Sequence, residues 1–233
     1  MPFIELNNVT KKYGIKDTEI KALDNVSFSL SKNELVVILG ASGAGKTTLL
    51  NIIGGMDFVT SGSYMVNGSD VTKYSDKEMA LFRRNKIGFV FQFYNLMPNL
   101  TALENVMLST QHIKNAINAE EALRMVGLEK RVNNFPSNLS GGEQQRVSIA
   151  RAIAKKPDIL LCDEPTGALD SKTGKNILKI LKHISQIGDK CVIIVTHNAN
   201  IALVADRVIR LSDGKIISNI KNENPKDIED IEW

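Results

Sequence analysis

The sequence predicts an α/β fold: a mostly parallel sheet flanked by helices, an antiparallel β subdomain at the N-terminus, and an inserted helical lobe. Three observations predict it. Residues 34–39 (ELVVIL) are, after Glu34, a continuous apolar run, the pattern of a strand covered on both faces. From Ser140 onward, helical and strand patterns alternate, which is the rhythm of parallel strands joined by crossover helices. Between them, residues 95–138 hold helical patterns such as 119–126 and few strand-like runs.

The elements follow in order. Residues 3–9 and 26–30 alternate apolar and polar side chains, as half-buried strands do. Residues 63–66 form a further short strand, closed by the turn Asn67-Gly68. The buried run ends at Gly40, and a helix pattern starts at Lys46 and continues to about Ile53. After the lobe, a helix over 142–154 leads to a strand over 158–162, and a helix over 172–187 leads to a strand over 191–196. A short helix near 200–205 precedes a strand over 207–211, and Asp213-Gly214 turns the chain into a terminal hairpin over 215–218. The expected organisation is one domain over 1–220, with roughly 95–138 inserted, and a polar, flexible tail over 221–233.

Bulk properties narrow the function. The chain has 233 residues, enough to bury a substantial core, and 43% of them are hydrophobic, an ordinary globular share. A net charge of +3, from 29 basic and 26 acidic residues, gives no basic stripe for nucleic acid. Cys162 and Cys191 lie within apolar runs and read as reduced core thiols. The N-terminus has no apolar signal core, and no apolar run reaches the roughly 18–20 residues that cross a bilayer. The chain is therefore expected to be soluble and cytoplasmic, so that any membrane role comes through a partner.

Gly40-Ala41-Ser42-Gly43-Ala44-Gly45-Lys46-Thr47 fits G-x-x-x-x-G-K-[ST], and it has a buried strand before it and a helix after it. Glycines let the backbone curl until successive N–H groups converge on phosphate oxygens, and the following helix adds the positive end of its dipole. Lys46 supplies a point charge to the β- and γ-phosphates, and Thr47 offers a hydroxyl to magnesium. The expected nucleotide-binding set from this loop is Gly40, Ser42, Gly43, Ala44, Gly45, Lys46, Thr47 and Thr48, within a P-loop NTPase.

The strand over 158–162 ends in two carboxylates, Asp163 and Glu164. Charges at the C-terminal edge of a parallel sheet sit where ligands bind. Asp163 is expected to hold magnesium through water, and Glu164 to act as general base on the attacking water. Neighbouring residues on a strand point to opposite sides, so two roles are compatible.

Leu139-Ser140-Gly141-Gly142-Glu143-Gln144-Gln145-Arg146 stands before a helix. Ser140 and Glu143 read as a capping box. That leaves two consecutive glycines unexplained, since glycine costs helix stability. Glycines at a helix start allow close approach of an anion. The chain already has one phosphate loop, so a second phosphate-facing helix end suggests a nucleotide held by another subunit.

With this segment the sequence resembles the ABC ATPases, whose LSGGQ motif meets the γ-phosphate across a head-to-tail dimer. Glu143 stands where glutamine is usual. The resemblance covers nearly the whole chain, with its motifs in order, and implies ATP and Mg²⁺ as cofactors. It implies that Tyr13 stacks on adenine, that Gln92 joins magnesium to the permease contact, and that His197 contacts the γ-phosphate. It also places Asp170, in Ala168-Leu169-Asp170, on the loop that crosses the dimer. The implied catalytic residues are Glu164, His197 and Lys46; the metal ligands are Thr47, Gln92 and Asp163; and the nucleotide-binding set gains Tyr13, Gln92, Ser140, Gly141, Gly142 and Asp170.

Four segments resemble the branch of macrolide exporters, lipoprotein release and antimicrobial-peptide resistance: 51–57, 86–92, 100–106 and 163–172. The resemblance implies a homodimer bound to a permease with a large extracytoplasmic domain, peripheral on the inner face of the cell membrane. The apolar segment 93–98 beside Gln92 is a candidate groove for a permease helix. An importer subunit shares every catalytic motif, and only the branch segments argue against it. A soluble ABC-type ATPase would bring a coiled coil or two ATPase units, and a module that no longer hydrolyses would lack some of Lys46, Asp163, Glu164 and His197.

Overall fold

The computed structural model describes residues 2–14 and 18–232. Its elements in chain order are β1 (Ile4–Tyr13), β2 (Ile20–Leu30), β3 (Leu35–Leu39), α1 (Lys46–Ile53), β4 (Ser61–Val66), β5 (Ser69–Asp70), α2 (Asp76–Lys86) and β6 (Ile87–Val90). There follow α3 (Ala102–Thr110), α4 (Ala119–Met125), α5 (Gly141–Ala154), β7 (Ile159–Asp163), α6 (Ser171–Gln186), β8 (Cys191–Thr196), β9 (Arg207–Ser212) and β10 (Lys215–Lys221).

β2-β1-β4-β5 is an antiparallel sheet. Asn67 and Gly68 both take positive φ, 48° and 78°, as a two-residue hairpin turn between β4 and β5 requires. The second sheet runs β10-β9-β3-β8-β7-β6, parallel from β9 to β6, with β10 antiparallel at its edge. Every residue of β3 and β8 is buried, so alternation along β3 separates two cores. Leu35, Val37 and Leu39 face the side of α5 and α6, whereas Val36 and Ile38 face α1 and the antiparallel sheet. On α6, Ile177, Leu178, Leu181 and Ile184 form the buried stripe that ties the helix to the first core.

β1 and β2 run past the expected alternating stretches, because backbone pairing continues through the polar residues to Tyr13 and Ile20. α2 and β6, both unread in the sequence, connect the antiparallel sheet to the lobe segment. Both cysteines are free and buried, and burial pushes both thiols far up, which keeps them protonated. No helix among the described residues is long and apolar enough to cross a membrane.

The segment expected to be a flexible polar tail does not extend freely. β10 continues to Lys221, and a 3₁₀ turn at Ile228–Asp230 docks on α6. Lys175 Nζ donates to the Glu229 carbonyl at 2.8 Å, and Lys179 pairs with the Glu229 carboxylate. Ile228 and Ile231 are 5% and 2% exposed within the first core. The polar composition concealed two apolar anchors. Ile228→Asp is expected to lower unfolding free energy by about 2–3 kcal/mol, the scale of losing one buried aliphatic side chain. A denaturant midpoint equal to that of the parent would show the docking contributes nothing.

Candidate functional site

Four segments leave the C-terminal ends of four parallel strands on one edge of the sheet: the glycine loop after β3, Gln92 after β6, Asp163-Glu164 at β7 and His197 after β8. This is the edge where open α/β sheets bind ligands. They line a cavity of about 600 Å³ that also includes Ser42, Gly43, Gly45, Lys46, Thr47 and Thr48.

The loop conformation follows from its glycines. Gly43 and Gly45 have φ of 80° and 97°. At Gly45 a Cβ would lie 2.3 Å from the Ala22 carbonyl oxygen, so only glycine fits there. The turn between β9 and β10 braces the loop from behind: the Gly214 N–H donates to the Ala44 carbonyl at 3.1 Å. α1 then starts with no side-chain cap and no acidic residue in its first turn, which leaves its positive end facing the cavity. Lys46 is buried, and its ammonium donates back to the Ala41 carbonyl at 2.9 Å, which holds it within the loop.

Glu164 sits at φ 45°, the left-handed region, a conformation that costs a non-glycine residue and clusters at functional sites. Its carboxylate is 15% exposed and has three partners. Thr196 Oγ1 donates to Oε2 at 2.9 Å, the His197 N–H donates to Oε1 at 3.0 Å, and His197 Nδ1 lies 2.7 Å from Oε1. The imidazole itself is 70% exposed. Burial raises the Asp163 carboxyl above its ordinary range, and the Glu164 charge adds to this; Lys46 opposes both.

The remaining expected residues lie elsewhere. Gly40 and Ala44 belong to the loop but not to the cavity wall. Tyr13 is also absent from that wall, although Ile20, its partner across β1 and β2, lines it. Ser140, Gly141, Gly142 and Asp170 stand outside the cavity. Ser140 caps α5 in a full capping box: its backbone N–H donates to Glu143 Oε2 at 2.8 Å, and its Oγ accepts the Glu143 N–H at 3.3 Å. Asp170 caps α6 by accepting the Thr173 N–H at 3.0 Å. Gly142 has a packing reason invisible in the sequence, since a Cβ there would lie 2.2 Å from Thr173 Cγ2. Sequence reasoning missed Thr196, which orients Glu164, and Lys21, Ala22, Asp213 and Gly214 of the wall. Of these, only the Asp213-Gly214 turn carried a signal.

Fold and cavity together define a P-loop NTPase. The ABC transporter family matches residues 23–167. A putative ABC transporter ATP-binding protein of Mycoplasma pneumoniae is 47% identical over 233 residues, 99% of this chain and 50% of that protein. The ABC transporter ATP-binding protein MJ0796 of Methanocaldococcus jannaschii is 47% identical over 222 residues, 91% of this chain and 94% of that one. A dimeric MJ0796 structure, in a post-hydrolysis state bound to ADP and Pi, matches with a TM-score of 0.86 at 44% identity over 95% of this chain and 99% of that chain. The macrolide export ATP-binding/permease protein MacB of Burkholderia thailandensis is 43% identical over 226 residues, 95% of this chain and 34% of MacB. This chain thus spans 50% of the Mycoplasma relative and 34% of MacB, but nearly all of MJ0796. The chain belongs to the ABC transporter family, as one of its ATP-binding, ATP-hydrolysing subunits.

Proposed function

We propose that two copies of the chain bind two ATP molecules head to tail and drive a membrane permease of the export type, with a large extracytoplasmic domain, from its cytoplasmic side. One observation carries this reading. The cavity gathers Lys46, Thr47, Gln92, Asp163, Glu164 and His197, whereas Ser140–Gly142 and Asp170 lie outside it in the same chain. A second copy supplies them. The MJ0796 dimer and the fusion of ATP-binding and permease parts in MacB are consistent with both halves of the proposal. The similarity to export ATP-binding/permease proteins disfavours the importer alternative.

The residues fit a triphosphate with magnesium. The left-handed glycines and the uncapped start of α1 present N–H donors, and Lys46 is already held inside the loop. Among the described residues there is no cluster of three His, Cys, Asp or Glu side chains for a resident metal. Magnesium entering with phosphates needs only one or two protein oxygens, which Thr47, Gln92 and Asp163 provide. Bound there, it would neutralise charge on the β- and γ-oxygens.

The protein groups then divide the work. Lys46 and the loop amides hold the β- and γ-phosphates. Closure of the second copy excludes water and brings Ser140 to Gly142 against the γ-phosphate. Glu164, aimed by Thr196 and the His197 backbone, accepts a proton from the attacking water. The His197 imidazole, fixed through Nδ1, presents its other edge to the γ-phosphate. Tyr13 carries the adenine.

Copurification from native membranes tests the coupling. A permease with a large extracytoplasmic domain is expected to accompany the chain, and vesicles holding the complex should raise ATP turnover several-fold over the isolated subunit. Isolation with a small-domain importer permease, or with none, would overturn the export assignment.

A further inference from the structure

Tyr13 is tied down at its far end. Its hydroxyl donates to Asp57 Oδ2 at 2.5 Å. The other Asp57 oxygen accepts Lys11 Nζ at 2.5 Å and the Phe58 N–H at 2.7 Å. Lys11 Nζ also donates to the Phe58 carbonyl at 2.8 Å and lies 4.9 Å from the centroid of the Tyr13 ring. Lys11 and Tyr13 are two apart on β1, and the ammonium-to-ring contact brings their side chains together. Asp57 arrives on the loop after α1, the helix that follows the phosphate loop.

The arrangement exceeds what packing needs. The Lys11 and Asp57 side chains are only 13% and 24% exposed, yet they anchor a ring that is itself 43% exposed. An exposed tyrosine at a strand end ordinarily keeps its rotamer freedom, and fixing it costs entropy without burying apolar area. Here both ends are fixed: the backbone by pairing with Ile20, the hydroxyl by Asp57. Ile20 lines the phosphate cavity, and so does Thr48. The ring is thus held at the cavity rim, with the Lys11 ammonium over one face. Burial draws the Asp57 carboxyl upward, but the hydrogen bonds from Lys11 and Tyr13 outweigh it and keep the group ionised.

We infer that Asp57 is a positioning residue for nucleotide binding: held by Lys11, it accepts the Tyr13 hydroxyl and so fixes the ring as a platform for the purine base. The inference rests on the proposed role of Tyr13. It gives Asp57 a task in the reaction and makes Lys11 its support.

The test compares ATP with inorganic tripolyphosphate, which has the phosphates and no base, by equilibrium binding to the full chain. Tyr13→Phe removes one oxygen and keeps the ring; Asp57→Ala removes the acceptor. Each is expected to weaken ATP binding about five- to tenfold, the net scale of one ordinary hydrogen bond, and to leave tripolyphosphate binding unchanged. The KM for ATP should rise by the same factor with kcat retained. The double variant should be no weaker than the worse single, because both act through one contact. Equal losses for both ligands would show that Asp57 only supports the loop, and would overturn the inference. Tyr13→Ala separates the two readings. If it leaves the ATP-to-tripolyphosphate ratio unchanged, Tyr13 is not the platform. If it lowers the ratio while Asp57→Ala and Tyr13→Phe do not, only the role of Asp57 fails.

Discussion

Glu164→Gln is expected to lower kcat by about 10²–10⁴-fold, the range for losing a general base, while ATP binding stays near the parental value. The separation follows from the site. The hydrogen bonds of the Glu164 carboxylate go to Thr196 Oγ1, the His197 N–H and His197 Nδ1, and not to the loop that cradles phosphate. Glutamine has the same shape and keeps one acceptor for the His197 N–H. Its amide cannot accept the Thr196 hydroxyl, so that hydroxyl must turn, a cost near one hydrogen bond. The basic oxygen is lost outright. With ATP bound and not consumed, the closed dimer should accumulate. Phosphate release, equilibrium nucleotide binding and size-exclusion chromatography with ATP read the three effects. Turnover equal to the parent would remove Glu164 from the base role. Weakened binding with a lowered melting temperature would mark it instead as a support for the strained turn at φ 45°.

The legible parts of the fold were those in which one physical cause dominates. Uninterrupted apolar runs announced β3 and β8, since a strand buried on both faces has no polar register to keep. The glycine loop announced itself because anion binding, positive φ and close approach to Ala22 all demand the same residue. Ser140 and Glu143 marked the start of α5 correctly. Ser75 with Glu78 and Thr101 with Glu104 carry the same pattern and form full capping boxes on α2 and α3. On α2 the signal is masked, because the helix is largely charged and shows little apolar period. The docked C-terminus stayed hidden for a related reason: Ile228 and Ile231 are isolated anchors whose partners lie far away on α6. The Thr196 contact to Glu164 crosses from β8 to β7 and spans 32 residues, which no local pattern encodes. In the sequence Gly142 reads as opening space for a ligand, yet Thr173 packs against it. The packing and ligand readings are compatible, because a tightly packed α5 start is a rigid one.

That rigid start leads to the expected result for mixed dimers. Lys46→Ala removes the ammonium that Ala41 holds in the loop, and Ser140→Arg places a bulky charge at the start of α5. Either change present in both copies is expected to reduce turnover by about 10²-fold or more, since electrostatic stabilisation of the transferring phosphoryl group is lost or blocked. The Ser140→Arg chain should still bind ATP alone, because Ser140 lines no part of its own cavity and losing its cap costs about 1 kcal/mol. In a head-to-tail pair, the two defects fall on the same composite pocket. The other pocket then takes Lys46 from one copy and Ser140 from its partner, both intact. Random pairing in an equal mixture places about a quarter of all pockets in this intact state, by the two-fold symmetry of the dimer. Turnover plotted against mixing ratio should therefore rise from two inactive ends to a maximum near about a quarter of the parental rate at equal amounts. A flat plot at the level of the inactive parents would mean that no partner completes the pocket, and that the Ser140 end of α5 serves only its own chain.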